Sequence, residues 1–209
     1  MSDADDLVLG LFPLGIVVLP GEVVPLHIFE ERYKKLIGER LEEGEFGVVL
    51  AGEESVRECG TTARVAQLIE RLDDGRMNVL VQGERRFRIL EIHAPGDPVT
   101  EYLKAKVELY GDAAPEASHE THAAVLREFV RMLTAMDVKD PREPVGEGPL
   151  SFRLAAAVDF GVELKQGLLE SRSEEQRLGM LHTMITSLLP RIELHKEREA
   201  AIRGNGKGY

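Results

Sequence analysis

The sequence has no tryptophan and only one cysteine among its 209 residues. Cys59 therefore has no partner in the chain for a disulfide, and no thiol cluster exists to hold zinc. Basic residues are outnumbered: 26 Lys and Arg stand against 37 Asp and Glu, a formal charge of −11. A chain of that sign repels phosphate, which argues against general nucleic-acid binding. Motifs for phosphate and for nucleophiles are missing too. There is no Gly-x-x-x-x-Gly-Lys-Ser/Thr loop, no Gly-x-Gly-x-x-Gly turn and no Gly-x-Ser-x-Gly elbow. Long unbroken apolar runs are also lacking. Between residues 7 and 29 Glu22 is the only formally charged side chain, but Pro13, Pro20 and Pro25 would break a spanning helix. The acidic start is the opposite of a signal peptide's basic one. These features read as a cytoplasmic, non-membrane protein with no cofactor and no metal.

What is present is a globular balance, 43% apolar and 30% charged, enough to build a core. Residues 7–12, 15–19 and 22–28 read as strands between Gly and Pro breakers. Residues 30–43 read as an amphipathic helix stopped by Gly44, and 46–51 as a strand. Asp73-Asp74-Gly75 between 61–72 and 76–82 is a hairpin signal, and Gly83 marks a bend or bulge. Leu103, Ala105, Val107 and Leu109 alternate with polar residues as a half-buried strand.

The character changes at 111–115. Pro115 suits a first helical turn, and Ala124, Leu126, Phe129, Val130 and Leu133 form a helical stripe. A loop over 138–148 precedes helices at 150–159 and 162–170. Ser173 with Gln176 then opens a long helix as a capping box. Its apolar residues Leu178, Leu181, Ile185, Leu188 and Ile192 follow heptad-like steps, Pro190 predicts a kink or interruption, and the 204–209 tail reads as frayed. The fold class is α+β: a β-rich subdomain over 7–110 and a helical-bundle subdomain over 115–203.

Chemistry-bearing residues are sparse. His119 and His122 can share a helix face, but without a His-Glu-x-x-His motif they read as a solvated helix start. His27, His93 and Cys59 read as structural residues. Arg85, Arg86 and Arg88 around Phe87 are the densest basic cluster, and ion pairing suits them better than nucleic-acid binding.

Longer motifs are more specific. Leu11-Phe12-Pro13-Leu14-Gly15 and the run from Val17 to Tyr33, with Leu19-Pro20-Gly21-Glu22 and Pro25-Leu26-His27-Ile28-Phe29, resemble the opening of the Lon protease N-terminal domain family. Cys59-Gly60-Thr61-Thr62-Ala63, Asp74-Gly75-Arg76, Val79-Leu80-Val81-Gln82-Gly83 and Arg85-Arg86-Phe87-Arg88-Ile89 resemble that domain's hairpin. Leu154-Ala155, Lys165-Gln166-Gly167-Leu168-Leu169-Glu170 and Arg177-Leu178 resemble its helical portion.

The resemblance implies a PUA-like pseudo-barrel followed by a helical bundle. It also implies recognition of unfolded or damaged protein segments, and it allows an adaptor role beside a separate protease or chaperone. ATPase and peptidase domains are expected to be absent, so no enzymatic activity is carried over. The expected peptide contacts are Leu26, Ile28, Phe29, Arg32 and Tyr33, with a purely core role for Ile28 and Phe29 as the competing reading. RNA binding through the PUA-like barrel is the alternative function, and the net charge disfavours it.

Overall fold

The computed structural model describes residues 7–42, 44–53, 55–113 and 116–205, with side chains to residue 198. The acidic leader, Pro115 and residues 206–209 of the expected tail lie outside the described residues. Two compact units emerge: Met1–Asp112 with Gly161–Arg172, and Ala113–Phe160 with Ser173–Tyr209.

The first unit is built on six strands: β1 (Leu7–Leu14), β2 (Val23–Ile28), β3 (Phe46–Ala51), β4 (Val56–Arg71), β5 (Met77–His93) and β6 (Lys104–Leu109). Their order is β2-β5-β4-β3-β1-β6, and β6 pairs with β5 as well. Five strands thus close into a ring, and β2 lies outside it. Strand β5 makes this possible because it is 17 residues long. Its first half pairs with β2, from Met77 to Gln82, and its second half with β6, from Phe87 to His93. Closure removes the free edges that five open strands would expose. Register shifts between β4 and β5, with an extra residue in β4 at Val65/Gln67 and Leu68/Glu70 and in β5 opposite Thr61/Ala63, supply the local bending a small barrel needs.

The hairpin expected at Asp73-Asp74-Gly75 joins β4 and β5. Gly75 has φ +81°, and its N–H donates to the Leu72 carbonyl at 2.9 Å. The bend or bulge expected at Gly83 is present: Gly83 faces Ala63 while Arg86 faces Thr61, so β5 carries one extra residue there and runs on beyond it. The Gly83 N–H donates to the Glu22 carbonyl at 2.9 Å, and the Gly21 N–H donates to the Gly83 carbonyl at 2.8 Å.

Two local expectations need correction. Residues 15–19 form no strand, although Val17, Val18 and Leu19 are buried. The Leu19 N–H is bonded by the Glu22 carboxylate at 2.9 Å, so its donor is satisfied by a side chain within the turn. The helix expected over 30–43 is α1 (Glu31–Gly38), which ends earlier, the Arg40 N–H turning back to the Ile37 carbonyl at 3.0 Å.

Helix α1 lays Tyr33, Leu36 and Ile37 on a core with Phe12, Val18, Ile28, Phe46, Val79 and Val81. A second cluster, including Leu11, Val49, Phe87 and Val107, fills the other part of the barrel. Helix α4 (Val162–Glu170), which the sequence groups with the helical portion, belongs to this first unit. Gln166 Nε2 donates to the Cys59 carbonyl at 3.2 Å and Tyr110 Oη to the Leu169 carbonyl at 2.8 Å, both fastening α4 to barrel residues.

The second unit consists of α2 (His119–Ala135), α3 (Leu150–Ala157) and α5 (Glu174–Asn205). Helix α2 starts at Ser118, whose hydroxyl accepts the Thr121 N–H at 3.1 Å. Its buried face is Val125, Phe129, Met132 and Leu133: the expected Phe129 and Leu133 are core, while Ala124, Leu126 and Val130 of the expected stripe are half-buried. Along α5 the buried residues are Leu178, Leu181, Ile185 and Leu189, with Leu188 and Ile192 half-buried. Steps of three, four and four follow an ordinary helix rather than a heptad seam. Ser173 Oγ accepts the Gln176 N–H at 3.4 Å, and the helix continues through Pro190. Fully buried Arg177 donates to Glu174 Oε2 at 2.7 Å, while Ser151 donates its N–H and hydroxyl to the same carboxylate. Among the described residues no helix is long and apolar enough to cross a membrane.

Candidate functional site

Strand β2 is the edge strand of the sheet, paired with β5 alone. Its side chains alternate with period two. Val24, Leu26 and Ile28 point toward the barrel core, Ile28 being only 1% exposed. Val23, Pro25 and His27 are exposed, and so is Phe29 just beyond the strand. Phe29 is 61% exposed and Val23 49%. The residues opposite them on β5 are Gln82, Leu80 and Asn78. The outer surface is therefore an apolar row with amide groups beside it.

Hydrogen bonds hold this face in shape. His27 Nδ1 lies 2.7 Å from Asn78 Oδ1, and Asn78 Nδ2 donates to Glu70 Oε2 at 2.9 Å. Because the Asn78 amide nitrogen is the donor to Glu70, its oxygen receives the proton of His27 Nδ1. The imidazole ring stacks on Phe29, centroids 6.0 Å apart and planes at 22°. Further along, Arg64 donates to Gln82 Oε1 and to Glu84 Oε1, each at 2.6 Å.

The five expected contacts therefore divide. Phe29 is on the surface and available. Arg32 is half-buried: it donates to Glu30 Oε2 through Nε at 3.0 Å and Nη2 at 2.7 Å, and to the Pro98 carbonyl at 3.2 Å. Its guanidinium also lies 4.7 Å from the Tyr33 ring centroid. Tyr33 is buried, its ring 4.3 Å from that of Phe12, and burial pushes its phenol pKa upward. Leu26 and Ile28 belong to the inner row. The candidate surface is thus Phe29 and the outer row, carried on Leu26, Ile28 and Tyr33 as its support. From sequence His27 reads as a structural residue and Val23 and Pro25 carry no assigned role, although the two-residue alternation across 23–29 is the available signal.

The other sequence candidates have structural places. Arg85 pairs with Glu45 at 2.9 Å. Arg86 is buried, pairs with Asp112 at 2.5 Å and donates to the Ser171 carbonyl at 2.5 Å. Phe87 is core. Cys59 is buried against Arg88 and Tyr110, and burial together with that thiol raises the Tyr110 phenol pKa. His122 Nδ1 lies 3.0 Å from the Ser118 carbonyl. Among the described residues no group of three or more His, Cys, Asp or Glu could hold a metal.

An edge strand with an exposed apolar row on a rigid barrel is suited to holding extended polypeptide. Comparison with known proteins gives this geometry its setting. The family model described as the ATP-dependent protease La (LON) substrate-binding domain matches residues 8–187. The chain belongs to this LON family. Lon protease 2 of Myxococcus xanthus is 27% identical over 94% of the chain, which covers 26% of that relative. A Lon protease of Anaeromyxobacter dehalogenans is likewise 27% identical over 94%, with 25% of the relative covered. The chain thus spans about a quarter of the length of these relatives.

Among solved structures, a Lon N-terminal domain protein from Xanthomonas campestris matches with a TM-score of 0.65 and 26% identity, covering 84% of this chain and 96% of that one. The N-terminal domain of a Mycobacterium avium complex Lon protease shares the fold, with a TM-score of 0.65 at 22% identity, covering 86% and 98%. The LON match takes in all six strands and α1 to α4, and ends within α5. It includes both the outer row of β2 and the α4 segment bound to the barrel.

Proposed function

We propose that this LON-family chain is a non-enzymatic polypeptide-binding module that holds unfolded or damaged protein segments in the cytoplasm and hands them to a separate protease or chaperone. The observation that carries the reading is Phe29, an aromatic side chain 61% exposed at the end of the Val23, Pro25, His27 row. An unfolded chain presents apolar side chains and unpaired backbone groups. The outer row receives the first, and the unpaired side of β2 can receive the second, interrupted at Pro25, which has no N–H. The acidic exterior keeps such a surface soluble. Arg85 and Arg86 are already paired with Glu45 and Asp112, so no observation favours the RNA reading.

The test is fluorescence anisotropy with a reduced, alkylated and permanently unfolded protein as client, in the absence of nucleotide. Phe29→Asp is expected to weaken binding about tenfold, and as a surface change to leave stability within about 0.5 kcal/mol. Equal binding by wild type and Phe29→Asp would remove Phe29 from the site. Failure of the wild type to bind any unfolded client would remove the function.

A further inference from the structure

We propose that the polypeptide client adds to the barrel as an extra strand along the open edge of β2, and that Pro25 reserves this edge for a client rather than for a second copy of the chain.

The phase of the β2–β5 ladder fixes which backbone groups face the edge. Val23 lies opposite Gln82, so Glu22, one step earlier, lies opposite Gly83, and the Gly83 N–H donates to the Glu22 carbonyl at 2.9 Å. In an antiparallel pair, residues that bond across the ladder alternate with residues that do not. Val24, Leu26 and Ile28 therefore turn their backbone groups toward β5, and Val23, Pro25 and His27 turn theirs away from it. Pro25 agrees independently: it has no N–H, and a sheet tolerates proline where that N–H would point off the edge. Among the described residues β2 has no strand on that side. The edge thus offers two N–H donors, on Val23 and His27, and three carbonyl acceptors, on Val23, Pro25 and His27. The same three residues expose their side chains, and Phe29 follows in the same alternation. A strand laid beside β2 meets both sets at once, because opposed residues of an antiparallel pair hold their side chains on one face, about 5 Å apart.

Two kinds of strand fit such an edge, and Pro25 discriminates between them. Two copies related by a two-fold axis set β2 against β2. The antiparallel register that uses all three edge residues then places Pro25 opposite Pro25, and with no N–H on either side the central pair forms no bond. A client with an ordinary residue at that position still donates its N–H to the Pro25 carbonyl. Charge acts in the same direction. Each copy carries a formal −11, so two copies repel one another, whereas a neutral or basic segment is not repelled. The occupant this edge favours is therefore an extended apolar segment of a different chain, without proline at the bonded positions and without net negative charge.

This mode of binding rests on the polypeptide-client reading, and the experiment separates the two. The probe is a fluorescein-labelled peptide of alternating Val and Thr with a lysine at each end. It is made unmodified, N-methylated at every Val, and N-methylated at every Thr. Amides of alternate residues face a neighbouring strand, so methylating one set removes the donors to β2 and methylating the other leaves them. An antiparallel added strand with its valines on the outer face should lose binding about tenfold when the Val amides are methylated. It should stay within about twofold of the unmodified peptide when the Thr amides are methylated. The opposite preference would support strand addition in the parallel sense. Pro25→Val keeps an apolar side chain and adds the missing N–H. It is expected to bind the unmodified peptide about three- to tenfold more tightly, and to self-associate in sedimentation where the wild type does not. Equal binding of the two methylated forms, or a Pro25→Val chain that binds no more tightly than wild type, would overturn the proposal. If the unfolded-protein client binds and the two methylated peptides bind alike, only strand addition is wrong. If the methylated peptides differ and no unfolded protein binds, only the reading of unfolded proteins as clients is wrong. If neither peptide nor unfolded protein binds, both fall.

Discussion

Lys165 Nζ lies 2.6 Å from Glu22 Oε1, joining residues 143 positions apart in the chain. Neither side chain sees much water, at 14% and 9% exposure. The other oxygen of Glu22 accepts the Leu19 N–H at 2.9 Å. One carboxylate therefore organises the turn before β2 and anchors it to α4. The carbonyl of the same residue takes the Gly83 N–H, so the start of β2 is held at several points.

Lys165→Met should destabilise the protein by about 1–3 kcal/mol, somewhat less than the loss expected for a fully buried pair. The double change Lys165→Met with Glu22→Gln should cost less than the sum of the two single changes. Denaturant unfolding checks both statements. In the single variant, hydrogen exchange should quicken at the Leu19 and Gly83 amides, and client binding should weaken as β2 loses its fixed start.

Gly83→Ala should be destabilising by about 1–3 kcal/mol through overpacking. A Cβ at that position meets the Leu19 carbonyl oxygen and stands 3.0 Å from a Val18 methyl group, and the first of these is backbone that cannot rotate away. Gly15→Ala, where nothing lies within 4 Å, is the control expected to stay within about 0.5 kcal/mol of wild type. Thermal and denaturant midpoints of the two variants decide the matter.

The Tyr102 phenol is pushed up to about 12, first by burial and then by the hydroxyl's bond to Glu39. A raised folded-state value means that the neutral form is favoured in the folded protein. The stabilisation is complete below the ordinary phenol value near 10 and is lost as pH climbs from there through about 12. Ultraviolet titration should show a tyrosinate phase near pH 12 that Tyr102→Phe removes. Tyr102→Phe should also flatten the alkaline loss of stability relative to wild type.

Much of the architecture was legible because it depends on local chemistry. Asp74-Gly75 makes its turn through a positive φ and a side-chain bond to the Arg76 N–H at 3.1 Å, both encoded within four residues. Ser173 caps α5 by reaching three residues forward. The misread pieces depend on contacts from far away. Val17, Val18 and Leu19 have the composition of a strand, but their neighbours are β5 at Gly83 and the Glu22 carboxylate, so they are buried without joining a ladder. On α2 the expected Phe129 and Leu133 are buried, but Val125 and Met132 join them ahead of Ala124, Leu126 and Val130, because a stripe of mixed apolar residues has several near-equal orientations and packing against α5 selects one.

By itself the sequence determined the β-rich first part, the helices that follow, the single free thiol, the acidic balance and the resemblance to the Lon N-terminal family. Those depend on composition, short-range periodicity and contiguous motifs. Tertiary structure alone decided that β5 serves two partners and closes the ring, that α4 packs with the barrel, and that Phe29 is exposed while Ile28 and Tyr33 are core. The reason is one of geometry: a strand's side chains alternate between two faces, and only the rest of the fold determines which face meets water.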